Sequence, residues 1–262
     1  MQQYDVIILA GGVNSGKLSK FAPYDSEALI IIGNYPMIYY VLEAVKASQR
    51  IRNIIISGPQ DSLKELLKKE DGLCFAQSGT DAVESFVNAL ASVGKENLTE
   101  KVLIIPTDIP FITAEAIDDF VQQCENNEAD VHYSVVNKDV VQAGYPGIIR
   151  TYFKTRHGVF TGGNVVLLRL SIIDKCIEMA HFLVANRKNT LAIAKFFGLG
   201  MLWKLISGRL TFSDAEQRFN EMSGIKGKAI ISNYPEVGVD VDKPSDLKLA
   251  EQFLGNTKPT GC

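Results

Sequence analysis

The sequence predicts an α/β protein in which helices cover both faces of a mostly parallel central sheet. Short runs of Val, Ile and Leu alternate with helix-periodic segments over the first half of the chain, and this alternation is typical of parallel strands buried on both faces. A long amphipathic stretch in the second half predicts a helical insertion. The length of 262 residues, 46% of them hydrophobic, suffices for a sizeable core.

Four apolar runs of the first half are predicted to be buried strands, because they are short and nearly free of polar residues. They cover residues 5–10, 53–57, 73–76 and 101–106.

The segments between these strands carry apolar residues at helical spacing. Pro36 suits the first turn of a helix, Thr80 and Asp81 are candidates for an N-cap, and Thr113 opens another helix. The predicted helices cover residues 36–45, 61–69, 80–93 and 113–121.

The second half adds three strands and a helical block to this pattern. The strands are predicted at 130–136, 163–169 and 229–231, and a closing helix ends at Leu254. We predict a single domain over residues 1–255, with a helical insertion at about 171–225 and a frayed tail at 256–262.

Composition limits the classes of partner. The formal net charge of −3 shows no basic footprint for a nucleic acid, although backbone amides can still bind a small anion. No apolar run reaches the roughly 18–20 residues of a membrane span, and the first strand begins almost at once, so no signal peptide is expected. Cys74 and Cys176 lie in apolar runs and are predicted to be buried thiols, which suits a reducing cytoplasm.

Two glycines follow the first strand, where α/β sheets bind ligands at the carboxyl ends of their strands. Gly11 and Gly12 would let backbone N–H groups approach a phosphate or a base. Their spacing fits neither the dinucleotide fingerprint nor the P-loop, since Leu18 follows Gly16 and Lys17. A tight turn with no ligand is the alternative.

Acids follow two other predicted strands. Asp108 comes just after the strand at 101–106 and suits Mg²⁺, which prefers one or two carboxylates plus phosphate oxygens. Asp240 and Asp242 are two residues apart in an extended segment, so their side chains would share a face. The alternatives are a solvated strand-end acid for Asp108 and a helix-entry turn for the pair, with Asp246 favoured by the helix dipole.

The order of these motifs along the chain resembles the MobA-like nucleotidyltransferases, which are NTP transferases of the glycosyltransferase-A-type, Rossmann-like three-layer fold. In such enzymes a phosphate oxygen of a second substrate attacks the α-phosphorus of the NTP, and pyrophosphate leaves. The matching stretches are 9–12, 28–42, 78–80 leading into 85, 107–110, 161–164 and 240–247.

The resemblance implies a role for each matching position. Mg²⁺ would be held by Asp108 and Asp242, with Asp240 as a substitute, and Lys17 or Lys20 would neutralise the triphosphate. Gly163 and Asn164 would face the second substrate. The residues implied to bind the nucleotide are Leu9, Ala10, Gly11, Gly12, Gln77, Gly79, Thr80 and Ser85.

One position departs from the family pattern, which has a lysine immediately before the Ala-Leu or Pro-Leu pair. This chain has Glu27 there. A carboxylate would repel a triphosphate by about 1 to 4 kcal/mol per charge pair at 4 Å. Three interpretations stay open: Lys17 or Lys20 takes over, Glu27 joins the metal ligands, or the protein binds a nucleotide poorly and is no longer a transferase.

The sequence therefore predicts a cytoplasmic, Mg²⁺-dependent nucleotidyltransferase that transfers NMP from an NTP to a phosphorylated small molecule. A glycosyltransferase of the related fold is an alternative because of the Asp-Val-Asp at 240–242, although such motifs usually follow a mid-domain strand. The helical insertion is interpreted as a lid, a specificity element, a homodimer surface or a packed satellite cluster. Its apolar stretch at 196–206 also leaves a hydrophobic acceptor or a membrane surface open.

Overall fold

The central sheet has eight strands, and two further strands form a short hairpin. The computed structural model describes residues 1–14 and 18–255, without the side chains of Cys176 and Glu178. The strands are β1 (Tyr4–Leu9), β2 (Ile31–Ile32), β3 (Tyr35–Pro36), β4 (Ile51–Gly58), β5 (Leu73–Gln77), β6 (Lys101–Pro106), β7 (Val131–Asn137), β8 (Phe153–Thr155), β9 (Gly158–Arg169) and β10 (Gly227–Ser232).

Helices connect most of these strands. They are α1 (Met37–Ala47), α2 (Gln60–Leu66), α3 (Ala82–Val93), α4 (Ala114–Glu125), α5 (Lys138–Gly144), α6 (Ile173–Ala185), α7 (Thr190–Phe196), α8 (Leu199–Ile206), α9 (Phe212–Ser223) and α10 (Pro244–Leu254). Asp81 caps α3 and Thr113 caps α4 through their side-chain oxygens, as the sequence predicts.

The strand order is β10-β7-β9-β6-β1-β4-β5, with β8 paired to β9. β6, β1, β4 and β5 run parallel to one another, and β10 runs parallel to β7. The prediction of a mostly parallel α/β sheet is confirmed. β9 is the exception, because it lies antiparallel between β6 and β7. It is also longer than the predicted strand at 163–169, since its first residues pair with β8.

The core lies on both faces of the sheet. Val6 and Ile8 of β1 belong to a large buried cluster that includes residues of α1 and α4. Ile7, which points the other way, belongs to a second cluster with Phe86 and Ala89 of α3. Because neighbouring residues of one strand are buried on opposite sides, the fold has three layers.

Of the two cysteines that the sequence predicts to be buried, the structure describes the side chain of only Cys74. Cys74 is exposed, so its prediction as a buried thiol was wrong. It lies on β5, an edge strand of the sheet, where an apolar run is not covered on every side. The side chain of Cys176 lies outside the described residues.

The helices α6–α9 follow β9 and lie where the sequence predicts helical structure. Leu199, Trp203 and Ile206 of α8 are 76%, 58% and 70% exposed, and their spacing puts them on one helix face. This face has no cover within the described chain. No helix among the described residues is long and apolar enough to cross a membrane.

Candidate active site

The tips of β1 and β6 lie side by side. The backbone N–H of Thr107 donates to the carbonyl of Leu9 at 3.0 Å, which continues the parallel pairing one residue past β6. The chain then reaches Asp108 at the carboxyl edge of the sheet, next to the loop that begins at Gly11. Two of the motifs that the sequence singled out therefore meet at one edge.

Asp240 and Asp242 are held at the same edge by a backbone hydrogen bond of the residue between them. The N–H of Val241 donates to the carbonyl of Asp108 at 2.8 Å. As a result, one carboxylate oxygen from each of Asp108, Asp240 and Asp242 lies within 4.8 Å of the others. The acids before α10 thus converge on Asp108, while Asp246 accepts hydrogen bonds from the N–H groups of Asp242 and Lys243 and so caps that helix.

Asp108 is a buried carboxylate of this group. Its side chain is 8% exposed, and its Oδ1 has no hydrogen-bond partner in the described structure. Burial raises the pKa of Asp108, and the charge of Asp242 raises it further, against the opposing charges of Arg187, Arg150 and Lys188. A buried, unpartnered carboxylate oxygen is costly, and it faces two more carboxylates.

Two cations that the sequence analysis did not assign to the site pair with these acids. Arg150, which follows α5, forms an ion pair with Asp240, and burial lowers the pKa of Arg150. Lys188 lies between α6 and α7 and pairs with Asp242. Neither cation belongs to a motif with recognisable spacing, so only their positions in the fold connect them to the acids.

Glu27 lies in the same group of charges. Its N–H donates to the carbonyl of Gly12 at 3.0 Å, and a side chain at position 12 would collide with the Glu27 carboxylate. Burial raises the pKa of Glu27 to about 7, helped by the charges of Asp108 and Asp242. The glutamate that departs from the family pattern is therefore a fourth acid of this edge.

Of the two lysines expected to serve the triphosphate, only Lys20 lies within the described residues. Lys20 is exposed and, in the described part of the chain, forms no ion pair with these acids. Lys17 lies outside the described residues.

The loop after β5 packs against the glycine turn. A side chain at position 11 would strike Ser78 and approach the hydroxyl of Ser85, so the turn requires glycine. The Ser85 hydroxyl accepts from the N–H of Gly79 at 3.0 Å and donates to the carbonyl of Asp81 at 2.7 Å. Ser85, which is buried, thus holds the shape of the loop that starts at Gln77.

Thr80 and Asp81 are also engaged within the protein. The N–H and hydroxyl of Thr80 both donate to Glu84 Oε2 at 2.6 Å. His181 of α6 lies 2.6 Å from Asp81 Oδ2. The helix α6 is therefore attached to the loop that the sequence assigns to the base.

Gly163 and Asn164, which are predicted to face the second substrate, contact other parts of the protein. A side chain at Gly163 would collide with Ser134 of β7. The amide of Asn164 donates to the carbonyl of Val237 at 3.1 Å. Asn164 therefore fixes the segment that leads into Asp240.

A mostly parallel sheet whose strand tips bring glycines and converging carboxylates together defines the chain as a nucleotidyltransferase-like protein of the glycosyltransferase-A-like fold. It matches the MobA-like NTP transferase domain over residues 6–205, and it belongs to that family. The match ends before Asp240 and Asp242, which the structure brings to the site.

Solved structures agree with this assignment. A hypothetical transferase from Thermus thermophilus is 33% identical, covers 94% of this chain and 100% of its own, and superimposes with a TM-score of 0.77. A 4-diphosphocytidyl-2C-methyl-D-erythritol synthase from Anaerococcus prevotii (15% identity, 97% and 96% coverage, TM-score 0.57) shares the fold. So does a CMP:2-keto-3-deoxy-manno-octonic acid synthetase complexed with CTP (12%, 96% and 98%, 0.61). None of the curated proteins matches the chain.

Proposed function

We propose that the protein is a Mg²⁺-dependent nucleotidyltransferase that transfers NMP from an NTP to a phosphorylated small molecule and releases pyrophosphate. The observation that carries the proposal is the meeting of Asp108, Asp240 and Asp242 beside the glycine turn after β1. The proposal treats residues 1–255 as one nucleotidyltransferase domain with a helical insertion at about 171–225.

The donor set fits a hard divalent cation. All the donors are carboxylate oxygens, which Mg²⁺ prefers, and Oδ1 of Asp108 has no other partner. Asp108 and Asp242 would hold the ion, because Asp240 is paired with the buried Arg150, whereas Lys188, the partner of Asp242, is exposed. When bound, Mg²⁺ would neutralise charge on the phosphate oxygens of the nucleotide.

The residues of the chain would then position the reactants. The backbone around Gly11 and Gly12 would take the nucleotide, and the loop at 77–81 would line its base, with Ser85 supporting that loop. A phosphate oxygen of the acceptor would attack the α-phosphorus as the bond to the β-phosphate breaks, and pyrophosphate would leave with that electron pair. Holding the reactants in line supplies much of the rate enhancement in such reactions, and no covalent intermediate is required.

The comparisons suggest where a substrate search begins. Two proteins with the same fold carry a cytidine nucleotide in their names, diphosphocytidyl in one and CMP in the other, and the second was solved in complex with CTP. We therefore place CTP first in a panel of NTPs, each combined with sugar phosphates and polyol phosphates as acceptors.

Pyrophosphate release tests the proposal. With the right NTP and acceptor, release by the wild-type protein should require Mg²⁺, and Asp108→Asn should lower it at least 100-fold, since removing a metal ligand removes the charge stabilisation. Asp71→Asn, which changes an exposed acid before β5, is the matched control and should retain full activity. Release that is unchanged in Asp108→Asn would contradict the metal role.

A glycosyltransferase is the second candidate, because both acids of the Asp-Val-Asp segment converge on Asp108. Turnover of an NDP-sugar, with no pyrophosphate released from any NTP, would favour it. Tight NTP binding without turnover of any acceptor would instead indicate a nucleotide-binding protein.

A further inference from the structure

We propose that Arg187 and Lys188, two consecutive cations between α6 and α7, bind the polyphosphate of the nucleotide. This inference rests on the proposed function and assigns the α6–α9 segment a direct part in the site. The two cations would also supply positive charge to a site whose loop after β1 has Glu27 where the family pattern has a lysine.

The first observation is the excess of negative charge at the sheet edge. Glu27, Asp108, Asp240 and Asp242 lie together, and of these only Asp240 has a buried cation as its partner, Arg150. A polyphosphate that approached these acids would be repelled even with a divalent ion present. Binding therefore requires further cations on the open side of the cluster.

The second observation is the position of the two cations. Lys188 pairs with Asp242 across 54 residues of sequence. Its side chain is 58% exposed while that of Asp242 is 19% exposed, so the ammonium group lies on the solvent side of the acid. Arg187 immediately precedes Lys188 in the same connection and is also exposed, so both cations are presented on the side of the acid cluster where Lys188 pairs with Asp242.

The third observation is the local structure that presents the two side chains. The N–H of Asn186 donates to the carbonyl of Phe182 at the end of α6, and the N–H of Asn189 donates to the carbonyl of Asn186 at 2.7 Å. The side chain of Asn189 then accepts from Ala192 N–H and caps α7. Both ends of the connection are fixed, while Arg187 and Lys188 between them are exposed.

The fourth observation is that α6 and the connection that follows it contact both ends of the candidate nucleotide site. His181 contacts Asp81 in the loop assigned to the base, and Lys188, seven residues later, contacts Asp242 at the acid cluster. A triphosphate lying between the glycine turn and the acids would therefore pass beneath the end of α6. Lys188 would be free to bind phosphate oxygens once Asp242 held a divalent ion.

Tripolyphosphate with Mg²⁺ is the probe, because it has the charge of the nucleotide tail and no base. Calorimetry should show binding about 10- to 100-fold weaker in Arg187→Ala/Lys188→Ala than in the wild type, as expected for the loss of charge-assisted hydrogen bonds. Mg²⁺ alone should bind as tightly or more tightly, because Lys188 no longer competes for Asp242. Loss of tripolyphosphate binding without loss of Mg²⁺ binding separates a phosphate contact from a general structural role.

Two further variants complete the experiment. Lys195→Ala, which removes an exposed lysine of α7, is the matched control and should bind tripolyphosphate as the wild type does. Adding Glu27→Lys to the double variant should recover binding at least threefold by returning a cation to the loop.

The outcomes separate this inference from the proposed function. Equal tripolyphosphate binding by the wild type and the double variant, together with Mg²⁺-dependent pyrophosphate release by the wild type, would overturn only the inference. A wild-type protein that binds neither tripolyphosphate nor any NTP in the presence of Mg²⁺ would overturn both.

Discussion

At the scale of single residues, burial and like charge decide how the acids of the sheet edge titrate. Glu27 and Asp108 both have raised pKa values because burial and neighbouring carboxylates disfavour their ionised forms. Acids with raised pKa values are common at functional sites. Nearby cations lower the free-energy cost of keeping these carboxylates ionised. In the structure, Arg150 does so for Asp240 and Lys188 does so for Asp242.

The pH dependence of stability should reveal Glu27. Its pKa is about 7 in the folded protein against 4.5 for the free group, so its contribution to stability is complete below pH 4.5 and is lost as the pH rises through 7. Glu27→Gln should remove this loss. In chelator, we expect the variant to gain about 1–3 kcal/mol in free energy of unfolding relative to the wild type between pH 4.5 and pH 8.

Denaturant titrations at the two pH values measure this difference. Glu128→Gln, which changes an exposed glutamate away from the acid cluster, should give the same offset from the wild type at both. A Glu27→Gln offset that does not change with pH would contradict the assigned pKa.

At the scale of the element, short hydrogen bonds at helix starts and loops set where the site residues lie. Asn164 of β9 fixes the segment before Asp240, and Ser85 of α3 fixes the loop after β5. Both were predicted to contact a substrate. Because the Ser85 hydroxyl and the Asn164 amide nitrogen already form hydrogen bonds inside the protein, the structure gives both residues a supporting role as well.

Helix caps offer a test at this scale. Thr113 caps α4 and also donates its hydroxyl to the buried Glu236 at 2.8 Å. Thr211 caps α9 and donates its hydroxyl to Asp214, whose side chain is 26% exposed. Thr211→Ala should cost about 1 kcal/mol. Thr113→Ala should cost about 2–3 kcal/mol, because it also leaves a buried carboxylate without its donor.

Unfolding in denaturant measures both variants. Thr113→Ser, which retains the hydroxyl, should recover most of the loss. Equal costs for the two alanine variants would show that the contact with Glu236 adds nothing.

At the scale of the whole molecule, the site is assembled from segments far apart in the chain. The carboxyl edge of the sheet brings together residues near positions 11, 27, 108, 188 and 242. A ligand that joins these segments should therefore stabilise the entire fold, since it binds only the folded protein.

Thermal unfolding should show this coupling. At a concentration of Mg²⁺ and NTP about 100 times the dissociation constant, the gain is about 2.7 kcal/mol. This corresponds to a rise in melting temperature of ~5–10 °C for a chain of this size. Asp242→Asn should abolish most of the rise. A melting temperature that responds to the NTP equally with and without Mg²⁺ would contradict a shared site.

Local patterns in the sequence were enough to predict the α/β class, most helices and strands, and the acids at the strand ends. These follow from periodicity and from the positions of polar residues after apolar runs, which depend on near neighbours in the chain. The antiparallel insertion of β9 between β6 and β7 was not predicted, because strand order depends on pairings between distant segments. The exposure of Cys74 was not predicted either, because it depends on β5 being an edge strand, and that too is set by the strand order.

The sequence by itself determined the central sheet, the glycine turn after its first strand and the acids that follow its strands. The tertiary structure alone decided that Glu27 faces the acids and that Arg150 and Lys188 neutralise two of them. The physical reason is that charges interact through space, and residues as distant in sequence as Lys188 and Asp242 become neighbours only when the helices α6 and α7 are placed above the sheet.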